Sequence, residues 1–283
     1  MLTSTDLPFA AEGREIAGLL KRKAPDEEIE AVIQRIQSQA IDREMDALVA
    51  STDVFVTCVL HVGSKSLSHV LAAIERTKDR LTDAGAASDA ARTQIISATM
   101  AYWSAHPGVA LCIIEKLLNY SILTPQTVIG WALVARAGNT RGEALSTSYV
   151  YEMVFNTVIK VTGRVRQLVS RPPTLPADAD EADTRDREIA AMRALFVGIE
   201  DALSAWTVPG AAIDGDAAEL VPRWAERWLR VFKRRAAIEE AFLVEAEKER
   251  ARKEVEMEAA AAEAARNGQA EEGVDAEMDA EIS

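Results

Sequence analysis

The chain has 283 residues, 48% hydrophobic and 27% charged, which suits one large globular domain or two small ones. Its net charge of −13 makes it a poor general binder of phosphate backbone, so any nucleic-acid contact requires a local patch or a partner. Two cysteines exclude a disulfide framework and point to a reducing compartment. No run approaches the ~18 apolar residues of a membrane span, and the N-terminus lacks a signal-peptide layout, so a soluble intracellular protein without a membrane partner is expected.

Apolar spacing is helical almost from the start. Lys21-Arg22-Lys23 suit a helix C-terminus, and Pro25 followed by Asp26-Glu27-Glu28 suits the next N-terminus. Ile29, Val32, Ile33, Ile36 and Ala40 then share one face. Ser51-Thr52-Asp53 reads as the cap of a helix running to about Val62. That helix is apolar on more than one side and is therefore expected to be well buried, with Phe55 and Cys58 as core anchors. Gly63 ends it, and Ser64 or Ser66 can cap the following helix, so Gly63 and Ser64 form an interhelical turn. The following helix carries Leu67, Val70, Leu71, Ile74 and Leu81 inward, with Leu71 as its anchor. Ile96, Met100 and Trp103 lead to a break at His106-Pro107, and Val109 to Leu118 forms the return helix. Thr124-Pro125 combines an N-cap residue with Pro at the first helical position, opening a helix anchored by Trp131. Gly138-Asn139 and Gly142 mark a loop, and a long helix spans about Thr147 to Val169.

Residues 171–187, above all RPPTLPADADEAD at 171–183, read as a Pro- and acid-rich linker between a helical-repeat domain at 1–170 and terminal helices at 188–244 that pack on the same domain. In those helices Ile189, Met192, Leu195, Phe196, Ile199, Leu203 and Trp206 line one face. After a loop, Trp224, Trp228 and Phe232 recur every fourth residue, with Trp224 and Trp228 as core anchors. Residues 245–283 carry thirteen acids and five bases, so this tail holds −8 of the charge and the rest of the chain −5. It reads as a helix that fades into disorder after Asn267-Gly268. Successive helix pairs with short connections predict an all-α helical-repeat solenoid, though periodicity equally fits an irregular helix bundle.

The residues that could carry chemistry cluster in FVTCVLHVGSKSLSHVLAAIER, residues 55–76. Zinc needs about four suitably spaced ligands, and beyond Cys58, His61 and His69 the chain offers only Cys112 and His106. Cys58 lies on the apolar stripe, where a thiol acts as a small hydrophobe. Gly63-Ser64-Lys65-Ser66 follows a helix rather than a strand and lacks the adjacent Gly-Lys of a phosphate loop. Arg223, Arg227, Arg230 and Arg234 form a basic stripe beside the aromatic face. It is either solvated surface or a contact for an acidic partner, the chain's own acidic tail or RNA phosphate. Trp103 and Trp131 read as packing anchors rather than base-stacking platforms. With no catalytic set, cofactor motif or metal-ligand set, the chain reads as a non-enzyme.

Three stretches, DVFVTCVLHVGSKSLSHVLAAIER, YWSAHPGVALCIIEKLLNYSILTPQTVIGWAL and YVYEMVFNTVIKV, resemble the large subunit of nuclear cap-binding complexes. The upstream FAAEGREIAGLLKRKAPDEEIE is similar to the fungal members, and residues 185–243 look like a diverged form of that subunit's last helices. The resemblance implies armadillo/HEAT-like antiparallel helical hairpins of the type first described as the middle domain of a translation-initiation scaffold. It covers only the last of that subunit's three such domains, and the family's nuclear import signal lies in the unmatched N-terminal part. It further implies a scaffold that docks and orders a small RNA-recognition subunit, which itself binds the 7-methylguanosine cap. Capped RNA is then met indirectly, and processing and export factors are further partners. A nuclear location with shuttling to the cytoplasm follows. An autonomous RNA- or protein-binding domain using the Arg223–Arg234 stripe is the alternative.

Overall fold

The computed structural model describes residues 8–134, 142–174, 179–208 and 217–281. Among these the regular structure is wholly helical, as expected: α1 (Ala10–Arg22), α2 (Asp26–Asp42), α3 (Ala47–Gly63), α4 (Leu67–Arg76), α5 (Lys78–Ala87), α6 (Asp89–Tyr102), α7 (Pro107–Asn119), α8 (Pro125–Leu133), a 3-10 turn (Glu143–Ser146), α9 (Ser148–Val169), α10 (Ala179–Ser204) and α11 (Ala217–Glu281). The chain divides into two compact units. One holds the residues up to Ile159 and Val197–Leu229, the other Lys160–Phe196 and the chain from Arg230 on.

In the first unit α3 is the axle. It packs against α1, α2, α4, α5 and α6, because Phe55, Val56, Cys58, Val59 and Leu60 place buried apolar groups over more than half of its circumference. Burying each large side chain of this kind contributes ~1.5–3 kcal/mol. A second hub is α6, which meets α5, α7 and α8 as well as α3 and buries Ile95, Ile96 and Thr99. The Thr99 hydroxyl donates to the Ile95 carbonyl at 2.7 Å, so even this polar side chain is satisfied within its own helix.

Helix ends follow capping chemistry, though not always at the residues expected. Thr124 accepts from the Thr127 N–H and Ser66 from the His69 N–H, as side-chain caps do. The cap of α3 is Asp46, which accepts from the Val49 N–H at 3.0 Å. Ser51 and Thr52, expected to cap, are instead buried inside the helix, where the Ser51 hydroxyl donates to the Leu48 carbonyl at 3.2 Å. The single helix expected from Leu67 to Leu81 is two, split at Thr77, whose hydroxyl donates back to the Ala73 carbonyl at 3.0 Å. Ala179 begins α10 inside the stretch read as the linker 171–187. In α11 the helical backbone continues past Asn267-Gly268, where fading is expected, to Glu281.

Gly142 takes a left-handed φ of 74°, and a Cβ there would lie 2.6 Å from Val221 and 3.0 Å from Trp206. Trp206 is itself buried and donates its Nε1–H to the Leu133 carbonyl at 3.2 Å. Gly138-Asn139 of the same expected loop lie outside the described residues.

The second unit is built on Val165, Val169, Met192 and Leu243, with Val161, Ile189, Phe196, Phe242 and Ala246 against them. One carboxylate is buried here: Glu239 is 2% exposed. It accepts from Arg166 Nε at 2.7 Å and from a second Arg166 nitrogen at 3.1 Å, and Arg235 Nε stands 2.7 Å away. Two guanidinium groups on one carboxylate offset the desolvation that a buried charge would otherwise cost. Arg193 grips Glu240 through two bonds of 2.8 Å, which holds the Glu240 carboxyl below its ordinary range.

Two glycines separate close packing from conformational freedom. A Cβ on Gly63 would overlap the Val70 Cα and sit 2.8 Å from its nitrogen, so Gly63→Ala is expected to cost ~1–3 kcal/mol in urea unfolding. Exposed Gly163, inside α9 with nothing near its Cβ position, is expected to gain ~0.5–1 kcal/mol as Gly163→Ala in the same measurement.

Candidate functional site

The thiol and imidazoles of residues 55–76 do not converge. Cys58 is fully buried and donates its S–H to the Gly13 carbonyl at 3.1 Å. Burial pushes its pKa up to about 12, so at neutral pH the group is a thiol rather than a thiolate. His61 is half-buried, with Nδ1 3.4 Å from the Tyr102 hydroxyl. Desolvation, with the charge of Lys21 added, holds it below its ordinary pKa. His69 lies instead in the first turn of α4, its Nδ1 2.7 Å from Ser66 Oγ. Among the described residues no group of three His, Cys, Asp or Glu is placed to hold a metal ion.

Gly63-Ser64-Lys65-Ser66 is an interhelical corner. Ser64 Oγ donates to the His61 carbonyl at 2.8 Å, closing α3. Ser66 Oγ accepts the His69 N–H, opening α4. Both hydroxyls are thus engaged in the chain's own turn.

Of the residues expected as core anchors, Phe55, Cys58 and Trp228 are buried, and Trp228 meets the Tyr151 ring edge-on at 4.9 Å. Leu71, Trp103, Trp131 and Trp224 are half-buried. For Leu71 the reason is the break at Thr77: α4 is only ten residues long and centres its buried face on Val70, Ala73 and Ile74, leaving Leu67 and Leu71 at the margin. The tryptophans lie at edges where the large ring covers a helix and leaves one side open. Trp131 Nε1–H donates to Ser97 Oγ at 3.0 Å, and Trp224 carries the Arg227 guanidinium 5.5 Å above its ring. Arg223, Arg227, Arg230 and Arg234 are all exposed on α11, the first two in the first unit and the last two in the second.

One feature had no signal in the sequence. A groove of about 320 Å³ opens between the start of α1, the α2–α3 corner, α3 and α6. Phe9, Met45, Val54, Ala98 and Tyr102 give it a largely apolar lining, and Asp53 is the carboxylate among its lining residues. Phe9 sits at the entry to α1 with a left-handed φ of 61°, buried beneath the Arg43 guanidinium at 4.8 Å. An aromatic residue in this backbone region is held there by its surroundings.

A family model described as "MIF4G like" matches residues 2–241. Three curated relatives match as well. Nuclear cap-binding protein subunit 1 of Schizosaccharomyces pombe is 26% identical over 163 residues, covering 58% of this chain and 20% of the relative. Subunit 1-A of Xenopus laevis and subunit 1 of Xenopus tropicalis are each 22% identical over 170 residues, covering 59% of this chain and 21% of the relative. The chain thus spans about a fifth of the length of the curated relatives it matches.

Two outcomes check this placement of side chains. Iodoacetamide added to the native protein is expected to label exposed Cys112 alone, with Cys58 reacting only after denaturation, as read by intact mass. Trp103→Ala is expected to cost less than the ~3–5 kcal/mol of a fully buried Trp, measured by urea titration.

Proposed function

The chain belongs to the MIF4G-like family, and from that premise we propose that it serves as a non-catalytic scaffold subunit of a nuclear RNA cap-binding complex. The observation that carries the proposal is the agreement of the family match at 2–241 with nuclear cap-binding subunits 1 from a yeast and two frogs. On this reading the chain docks a small subunit of RNA-recognition fold, and that partner grips the 7-methylguanosine cap. The site of action is the nucleus, with shuttling to the cytoplasm, and the processes served are mRNA processing and export through factors that bind the assembled complex.

The physical role is population shift. If the free partner's cap-competent conformer is populated at ~1%, docking that makes it dominant tightens cap binding ~100-fold without touching the cap. An all-helical surface suits this role, because packed helical hairpins add little conformational entropy of their own to the loss on docking. The relatives are about five times longer than their matched segment, so part of the docking surface is expected from chain outside it.

A second reading is favoured by one observation, the exposure of all four arginines of the 223–234 stripe. There the guanidinium groups meet RNA phosphate directly, although the chain's net charge of −13 opposes it.

One titration separates the two. The chain, alone and joined to the preceding domains of a relative, is mixed with the small subunit, and affinity for a fluorescent cap analogue is followed. The scaffold reading expects association in at least the joined format and a cap affinity raised tenfold or more; no association in either format overturns it. The stripe reading expects uncapped RNA to bind with strong salt dependence and to weaken at least tenfold with Arg227→Ala plus Arg230→Ala; affinity insensitive to both removes it.

A further inference from the structure

We propose that the groove beside α1 is a docking site for a partner segment carrying an apolar anchor next to lysine or arginine, most simply an amphipathic helix with a basic edge. The inference is independent of the cap-binding reading, since it rests on the groove's lining and on the charge around it.

The lining supplies the apolar half of the match. Positions 50, 53, 54 and 57 of α3 share one face toward the groove, and Ala98 and Ala101 of α6 form the facing wall. Small residues on both walls leave room for a visiting side chain, and about 320 Å³ lies at the lower end of the range for ligand clefts. Beside the groove, the α2–α3 corner exposes Ile41 (66%), Met45 (42%) and Leu48 (37%). Three large apolar side chains left in water within eight residues, next to an apolar cleft, mark an interaction surface better than isolated exposure does.

Charge selects the occupant. Asp53 accepts from Gln94 Nε2–H at 2.7 Å through Oδ1 and, among the described residues, forms no ion pair. A carboxylate within an apolar groove rewards a cation placed against it. The corner adds exposed Asp42, Glu44 and Asp46, with Arg43 the one opposing charge, and that guanidinium lies over Phe9. The surroundings are therefore net acidic. A basic segment is steered in and an acidic one is repelled. Helix-in-groove recognition of this kind uses anchors at i, i+3/i+4 and i+7, spacing that matches the groove wall of α3.

The test is selection of a phage-displayed library of twelve-residue peptides on the full chain, then anisotropy titration of the winning peptide. The expected result is enrichment of Lys or Arg next to Leu, Ile, Phe or Trp. Asp53→Lys is expected to weaken the wild-type winner at least tenfold and to enrich Asp or Glu in place of the base. Ala101→Trp, which fills the groove from an exposed position, is expected to abolish binding with the melting temperature kept. No enrichment, winners without a basic residue, or a winner indifferent to both substitutions overturns the proposal. Concentration-dependent dimerisation in sedimentation that Ala101→Trp abolishes also overturns it, because the groove then belongs to a second copy of the chain. Failure to bind the small cap-binding subunit leaves the peptide result standing, so the two proposals fail separately.

Discussion

The first unit depends on one constraint: most of the circumference of α3 is apolar and must be covered, with the groove face at Ala50, Asp53, Val54 and Thr57 left open. A helix apolar on one stripe can lie on a surface, whereas one apolar all round must be enclosed. Enclosure of α3 takes five neighbours, and α1, α2, α4, α5 and α6 are those neighbours. Short corners bring the chain back each time, so the hairpins follow from the need to cover one helix. Some polar residues within α3 are drawn under the same cover. Ser51 and Thr52 are buried, and Cys58 finds its acceptor on another helix, at Gly13. Within the cluster that invites a catalytic reading in the sequence, Cys58 lies at the centre of the packing, and the same burial that fixes the fold raises its thiol pKa.

Helix type and several helix boundaries were legible because they rest on local signals. Pro25, His106-Pro107 and Thr124-Pro125 mark breaks by removing a backbone donor and fixing φ, which requires no knowledge of tertiary structure. Errors arose where two local signals competed. Ser51-Thr52-Asp53 offers three capping side chains in a row, but Asp46 lies before them, and the apolar demand of α3 draws the chain into helix from Ala47 onward. Thr77, by contrast, looks like an ordinary helical residue, and its hydroxyl bonds the Ala73 carbonyl just as Thr99 bonds Ile95 inside the unbroken α6, so no local signal marks the break. Within residues 171–187, Pro172, Pro173 and Pro176 are a turn signal, whereas most of the acids lie from Asp180 on, where Asp180 and Glu181 serve the first turn of α10.

The groove was not legible, for a different reason. Phe9, Asp53 and Ala98 are about equally spaced in the chain and belong to three separate helical segments, so their meeting is a property of packing and leaves no local pattern. The half-buried tryptophans make a related point. Periodicity says which side of a helix is apolar, but it does not say whether a second layer will cover that side. Trp131 and Trp224 satisfy the pattern while keeping one edge open, the first with its N–H on Ser97 and the second under Arg227.

Charge gives the outer surface its selectivity. The overall negative charge repels bare RNA at a distance. The same field draws in basic polypeptide, and the acidic corner around Asp53 concentrates that attraction beside an apolar cleft. The exposed arginines of α11 have the opposite preference and would meet acidic groups. Helices that must stay folded to enclose α3 can carry such surface charges at little cost, because substitutions far from the packing rarely change stability by more than about 0.5 kcal/mol.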